Sequence, residues 1–463
     1  METQRLTCEA HGEATRLTCV DCSQPLCPKC MHRTEVGLKC GSCAAPAPLP
    51  PGAQQGSRRP LLLVGAGLAV AALVVGVLVA GQSSRQEPTA GPPAAPVGTW
   101  TAAPNLAAIR GTATAVVLDD GAVLVAGGGV GALAISAAEV LQPGSDAWEQ
   151  VGQLGEARRG HQAVLLDDGR VLVTGGLSAG APLASAEVYD PATRSWTAVA
   201  PMTVPRLGHS LTVLNNGQVL AAGGSTLEAA ESAGGGQTIR SAASAELFDP
   251  ETGSWTATGS MVSARFEHTA TRLRDGRVVM AGGLGPVGEG GEVGPLASTE
   301  IYDFAASAFV GSTDLSGPRA NHAAVLLNDD AVLVTGGAGG DAGDISLASA
   351  EVFDARAGTW NTVEPMGGTR TGHTATRLDD GRVLVVGGES VQRGTRRSLK
   401  SAEVFEFDAG ANGQWNPAGD MGCPRSEQAS VLLEDGTVLV AAGDAAFPGS
   451  APIAQSCTEL YKP

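Results

Sequence analysis

Four pairs of metal-ligand side chains open the chain: Cys8 with His11, Cys19 with Cys22, Cys27 with Cys30 and Cys40 with Cys43, each pair enclosing two residues. Thiolates with an imidazole are soft donors, and eight ligands suffice for two tetrahedral zinc ions with no coordination position left open. Such sites are structural. A segment this small buries little core, so the metal would supply its folding energy. Disulfides, or a redox dithiol in the Cys-x-x-Cys pairs, are the alternative uses of the same residues. His32 is a further candidate and is read as a bystander.

A second set of chemically capable residues recurs along the rest of the chain. An aromatic side chain is followed ten positions later by an arginine seven times: Trp100 and Arg110, Trp148 and Arg158, Trp196 and Arg206, Trp255 and Arg265, Phe309 and Arg319, Trp360 and Arg370, Trp415 and Arg425. Each arginine has a glutamate downstream, in order Glu139, Glu187, Glu246, Glu300, Glu351, Glu403 and Glu459. His161, His209, His268, His322 and His373 stand three residues after their arginines. A ligand or catalytic cluster must converge, whereas equivalent residues of a repeat are spread around an array. The expected role is therefore structural, with Arg, His and Glu bonded between strands and blades and Trp packed between blades.

Recurrence at roughly fifty residues marks a solenoid, propeller or array. The clearest unit runs from Arg370 and His373 through Asp379, Asp380 and Gly381 to the apolar run Val383 to Val386. Gly387 and Gly388 follow, then a variable loop, Ser401 to Phe405, and Trp415. Short apolar runs bounded by Asp-Gly or Gly-Gly read as buried strands joined by tight turns. Four strands per unit make one propeller blade. The array begins with a lone last strand around Trp100 and ends at Glu459, Leu460 and Tyr461, a third strand without its fourth. The N-terminal strand is expected to complete the last of seven blades, and closure removes exposed sheet edges.

These units resemble the kelch repeat over residues 97–463, in the glycine pair, the Glu-aromatic-Asp strand (Glu187, Tyr189, Asp190) and the closing Trp. The resemblance implies an all-β, seven-bladed kelch propeller. Departures are Phe309 for a Trp, Ala442 for the first glycine of its pair, and Ala113 and Gln428 in the histidine slot. The first 43 residues resemble a B-box type zinc finger of the short form found ahead of membrane segments in bacterial rhomboid-like proteins. The family's cross-brace would place Cys8, His11, Cys27 and Cys30 on one zinc ion, and Cys19, Cys22, Cys40 and Cys43 on the other.

Between the modules lie a linker rich in Pro and Ala (44–60) that ends near Arg58 and Arg59, an uncharged apolar run (61–81) and a stalk (82–96). About twenty apolar residues suffice to span a bilayer as a helix. A single-pass transmembrane helix at 61–81 is the expectation, with a cleaved signal as the alternative. The seven basic residues among 1–60 put the N-terminus in the cytoplasm and the propeller in the periplasm or outside the cell. Zinc-binding thiolates fit that reducing side, and Cys423 and Cys457, both in the last blade, are candidates for a disulfide on the other. The chain carries a net charge of −17. Beyond residue 87 it holds 22 basic against 41 acidic residues, which speaks against nucleic-acid binding by the propeller.

Galactose oxidase, the best-known enzymatic kelch propeller, needs a copper site of two tyrosines, two histidines and a cysteine bonded to one tyrosine. Here Tyr189, Tyr302 and Tyr461 all occupy repeat-equivalent strand positions. No sialidase-like Asp-box motif or rhomboid-type multi-helix core is evident. The expectation is thus not an enzyme but a membrane-anchored adaptor. Its propeller loops would bind protein or glycan, its zinc finger would bind protein, and residues 61–81 would hold the membrane. An extracytoplasmic propeller enzyme and a structural envelope scaffold are the competing readings. An enzyme would show a convergent polar pocket at the channel mouth, built from residues that differ between blades.

Overall fold

The computed structural model divides the chain into two compact units, Met1–Glu87 and Pro88–Pro463. It describes residues 96–229, 237–288, 291–328, 331–340, 342–392, 394–407 and 413–463, together with short strands between 6 and 39. In the first unit Leu6–Thr7 pairs with Ala14–Thr15, Leu17–Thr18 with Pro25–Leu26, and His32–Thr34 with Gly37–Lys39, all antiparallel. The eight expected zinc ligands lie outside the described residues, as do the linker, the stalk up to 95 and the apolar run 61–81. The single-pass membrane topology is corrected. Among the described residues no helix is long and apolar enough to cross a membrane.

The second unit is seven four-stranded antiparallel sheets, the expected seven-bladed propeller. Each blade takes its inner strand first, as in Gln162–Leu165, Val171–Thr174, Ala186–Asp190 and Ser195–Val199. The second strand of every blade is apolar and fully buried, because both of its faces meet neighbouring blades. Closure follows the sequence. Thr99–Ala103 pairs with Thr458–Lys462 as the outer strand of blade 7, with Trp100 opposite Tyr461. The Cys423–Cys457 disulfide fastens the same blade.

The recurrent polar residues do the structural work expected of them. Each arginine is buried and pairs with the glutamate of its unit, as in Arg158–Glu187 at 2.8 Å and Arg206–Glu246 at 2.9 Å. Its other nitrogen donates to the carbonyl of the first glycine of the pair, for example Arg158 to Gly175 at 2.9 Å. Histidine Nε2 reaches a hydroxyl on the preceding blade: His161 to Thr114, His209 to Thr174, His268 to Ser210, His322 to Thr269 and His373 to Thr335, all at 2.8–2.9 Å. The tryptophans join blades as well. Trp255 stacks on Phe248 of its own blade and donates its Nε1–H to Ala200 O of the blade before.

Two departures from the repeat belong to one contact. A Cβ on Gly127 would stand 2.6 Å from His161 Cε1, so the first glycine of the pair makes room for the next blade's imidazole in blades 1 to 5, and Gly387 does the same for the Gln428 amide. At the closing junction Ala442 replaces that glycine at φ +60°, and Ala113 replaces the imidazole. Both alanines are buried in one apolar cluster with Ala441.

Candidate functional site

The segment after each arginine hydrogen-bonds the first residue of the following variable loop, for example Arg159 against Leu177 and Ser426 against Asp444. The variable loops carry strands of their own. All seven fold into two-stranded hairpins, from Gly129–Val130 with Leu133–Ala134 to Asp444–Ala445 with Ile453–Ala454. Neighbouring hairpins are bonded where Val391 N donates to Ser346 Oγ (2.9 Å) and Ala446 N to Ser398 Oγ (2.8 Å). They form a crown on one face of the disc.

Inside the crown a ring of seven residues lines the channel, each two positions after its arginine: Thr112, Gly160, Gly208, Glu267, Asn321, Gly372 and Glu427. All seven have φ between +50° and +65°. Backbone bonds run around the ring, from Glu267 N to Gly208 O, Asn321 N to Glu267 O, Gly372 N to Asn321 O and Glu427 N to Gly372 O. Glycine is the natural occupant of such a conformation. Four blades instead carry side chains there, three of them able to do chemistry.

Those side chains converge. Asn321 Nδ2 donates to Glu427 Oε1 at 2.6 Å, passing over Gly372, where a Cβ would stand 2.5 Å from that oxygen. Glu267 leans over Gly208, whose Cβ would be 3.3 Å from its Cγ. Glu267, Asn321 and Glu427 line two cavities of about 360 and 280 Å³. Arg159 joins them in the first, and Glu389, Arg396 and Asp444 in the second. Burial, then the charge of Glu427, pushes the Glu267 carboxyl up to about 7. Its side chain is wetted by the channel while walled in by protein, so burial acts through the surrounding walls without sealing the group off. Burial raises Glu427 too, against the hydrogen bond from Asn321. Asp444 is raised by burial, with Arg159 opposing.

A copper-tyrosine centre does not fit this chain. Tyr189, Tyr302 and Tyr461 are buried on the third strands of their blades, where Tyr302 OH bonds Thr258 Oγ1 and Tyr461 OH donates to Val97 O. Among the described residues no three His, Cys, Asp or Glu side chains form a metal-binding group. The carboxylates of the ring define the channel's chemistry. The ring was missed in the sequence because its slot reads as a glycine turn. The signal available was Glu267, Asn321 and Glu427 standing where other units have glycine.

Comparison with known proteins bears on both fold and function. The Kelch motif matches residues 158–203, the second blade. Human Kelch-like protein 34 is 29% identical over 170 residues, 36% of this chain and 24% of its own. This chain therefore spans about a quarter of that relative's length. Among solved structures, a fungal alcohol oxidase of the AA5 family in complex with copper superposes with a TM-score of 0.59 at 18% identity. The match covers 79% of this chain and 76% of that one, and at this identity it shows the fold alone. It nevertheless corrects the expectation that the propeller is not an enzyme, because the same architecture belongs to an oxidase there. The polar pocket required of an enzyme, built from residues that differ between blades, is also present at this channel mouth. Motif, relative and fold together support a kelch-type seven-bladed propeller.

Proposed function

We propose that the propeller works at its channel mouth as an acid–base enzyme on a small substrate that carries an ammonium group. The observation that supports this reading is the convergence of Glu267, Asn321 and Glu427 in a strained backbone position where glycine would serve. Strain and perturbed carboxyls in a cavity are physical marks of a functional site. Glu267 takes up or returns a proton near neutral pH, which is where an acid–base group is most effective. Glu427, fixed by Asn321, offers its carboxylate to the substrate's cation.

Calorimetry with n-butylammonium tests the site. A cation favours the ionised carboxylate, so binding should strengthen as pH rises from 6 to 8 and the dependence should vanish in Glu267→Gln. Binding that is independent of pH, or unchanged in the variant, would overturn the reading. Turnover is then sought by mass spectrometry of a primary-amine metabolite mixture, with Glu267→Gln as the inactive control.

For the N-terminal segment we propose two structural zinc ions in the cross-brace given above, held by Cys8, His11, Cys27 and Cys30 and by Cys19, Cys22, Cys40 and Cys43. Ligand type and spacing support it. Metal analysis of the full chain should find two zinc ions, falling to one in Cys27→Ser/Cys30→Ser. A chain without zinc whose cysteines are all oxidised would favour the disulfide alternative.

A further inference from the structure

The crown around the channel mouth is unusually apolar for an exposed surface. Among the described residues ten large apolar side chains are exposed, and seven of them sit on the hairpins. Leu133 is 74% exposed, Ile453 55%, Ile239 51% and Phe447 49%. They come from hairpins of blades 1, 3 and 7, so they are distributed around the mouth and are not one blade's irregularity. Apolar patches of this kind mark contact surfaces.

The charge inside that apolar rim is unbalanced. Glu389 is already paired with Arg396 at 3.5 Å and accepts from Ser426 Oγ at 3.0 Å. Among the described residues Glu427 has one side-chain hydrogen bond, from the neutral amide of Asn321, and Arg396 acts on it only through its charge. Glu267 and Asp444 make no side-chain hydrogen bond or ion pair among the described residues, and Arg159 is the remaining cation lining the cavities. Two wetted, mutually repelling carboxylates would gain most from a cation brought in on a thin apolar stem, which is the shape of a lysine side chain.

Building on the channel-mouth reading above, we propose that crown and channel form one docking surface for a polypeptide segment in which a lysine is flanked by apolar residues. The ammonium enters the channel to Glu267 and Glu427, and the flanking side chains lie on the crown. A free amine would use the channel alone. A polypeptide uses both, and the position of apolar side chains around a charged opening favours it.

Four probes and two variants test this with the full chain: a nine-residue peptide with a central lysine between leucines, the same peptide with norleucine or glutamate at the centre, and n-butylammonium. The lysine peptide should bind at least tenfold more tightly than the other two peptides and than n-butylammonium. Glu267→Gln/Glu427→Gln should erase the preference for lysine over norleucine. Leu133→Ser/Ile453→Ser, on exposed tips that do not support the fold, should weaken the lysine peptide about tenfold and leave n-butylammonium unchanged. Equal binding of the lysine and norleucine peptides would overturn the proposal. So would a lysine peptide that binds no better than n-butylammonium, in which case the small-amine site stands alone. Failure of n-butylammonium and of every peptide would remove both readings.

Discussion

The paired alanines at the closing junction make a quantitative demand. Histidine at position 113 would restore the repeat, yet its Cε1 would meet the Ala442 methyl at about the 2.6 Å separation between a Cβ on Gly127 and His161. Overpacking of that kind costs about 1–3 kcal/mol. The imidazole would also lack its partner. Other blades offer a hydroxyl at the first residue of the inner strand or at the residue opposite it, and here those positions are Ala429 and Ala441, which face each other in register. An unsatisfied buried ring nitrogen costs about 1–3 kcal/mol more. Ala113→His should therefore destabilise by about 4 kcal/mol. Ala442→Gly alone should be nearly neutral, because release from the left-handed conformation offsets a lost methyl worth about 0.8 kcal/mol.

The double variant Ala113→His/Ala442→Gly should recover about 2 kcal/mol of that loss, and adding Ala429→Thr should recover most of the remainder through a bond like His161 to Thr114. Urea unfolding of the parent and the four variants, read by tryptophan fluorescence and by circular dichroism, measures the coupling. Effects that add to within about 0.5 kcal/mol would show that the two sites do not share a contact. An Ala113→His chain as stable as the parent would refute the reasoning outright.

Three further outcomes follow from the same geometry. The disulfide spans 34 residues, so Cys423→Ala/Cys457→Ala should lose about 4 kcal/mol in denaturant, and serine at 457 should return about 1 by accepting from Arg425 as Ser185 does from Arg158. Burial first, and neighbouring arginines second, push His161 and His373 down to about 3 and hold His209, His268 and His322 well below the usual histidine range. Their depressed values mean that stability is whole above the ordinary histidine pKa and falls as pH drops toward the folded values, by about 1.4 kcal/mol per pH unit for each ring, so urea midpoints that are equal at pH 7.5 and 5 would contradict the burial. Glu267→Gly and Glu427→Gly should each raise stability by about 1 kcal/mol while abolishing amine binding, and for Glu267 the gain should be larger at pH 8 than at pH 5, because a raised carboxyl weakens the fold once it ionises.

The propeller was legible because its repeat states the same physics seven times. A buried arginine needs a carboxylate, so Arg158 announces Glu187, and the spacing of the two fixes the strands between them. Closure was legible from the two incomplete ends, Trp100 and Tyr461, which stack at 5.1 Å. The link between Ala113 and Ala442 was not. The two positions are distant in sequence, and only the circular arrangement makes blade 1 the neighbour of blade 7. The variable loops resisted for another reason. Their Gly, Ala and Ser composition reads as slack chain, whereas hairpin pairing such as Ser225–Ala229 with Gln237–Ser241 depends on backbone bonds that composition does not display.

The channel ring shows where a repeat conceals a site. Residues that recur in every blade are the visible ones, and their recurrence is evidence of a scaffold role, because a ring of equivalent histidines is spread around an axis and cannot converge on one ligand. A functional group on such a scaffold has to break the repeat, and it has to do so near the axis, where residues from distant blades meet. The slot two positions after the arginine satisfies both conditions. It faces the channel in all seven blades, its backbone conformation suits glycine, and Glu267 and Glu427 occupy it across blades 4 and 7 with Asn321 between them. A carboxylate held at φ +52° gains nothing for the fold that glycine would not supply better. What it adds is charge in a confined, wetted space, and that is the property on which catalysis or recognition at this mouth must rest.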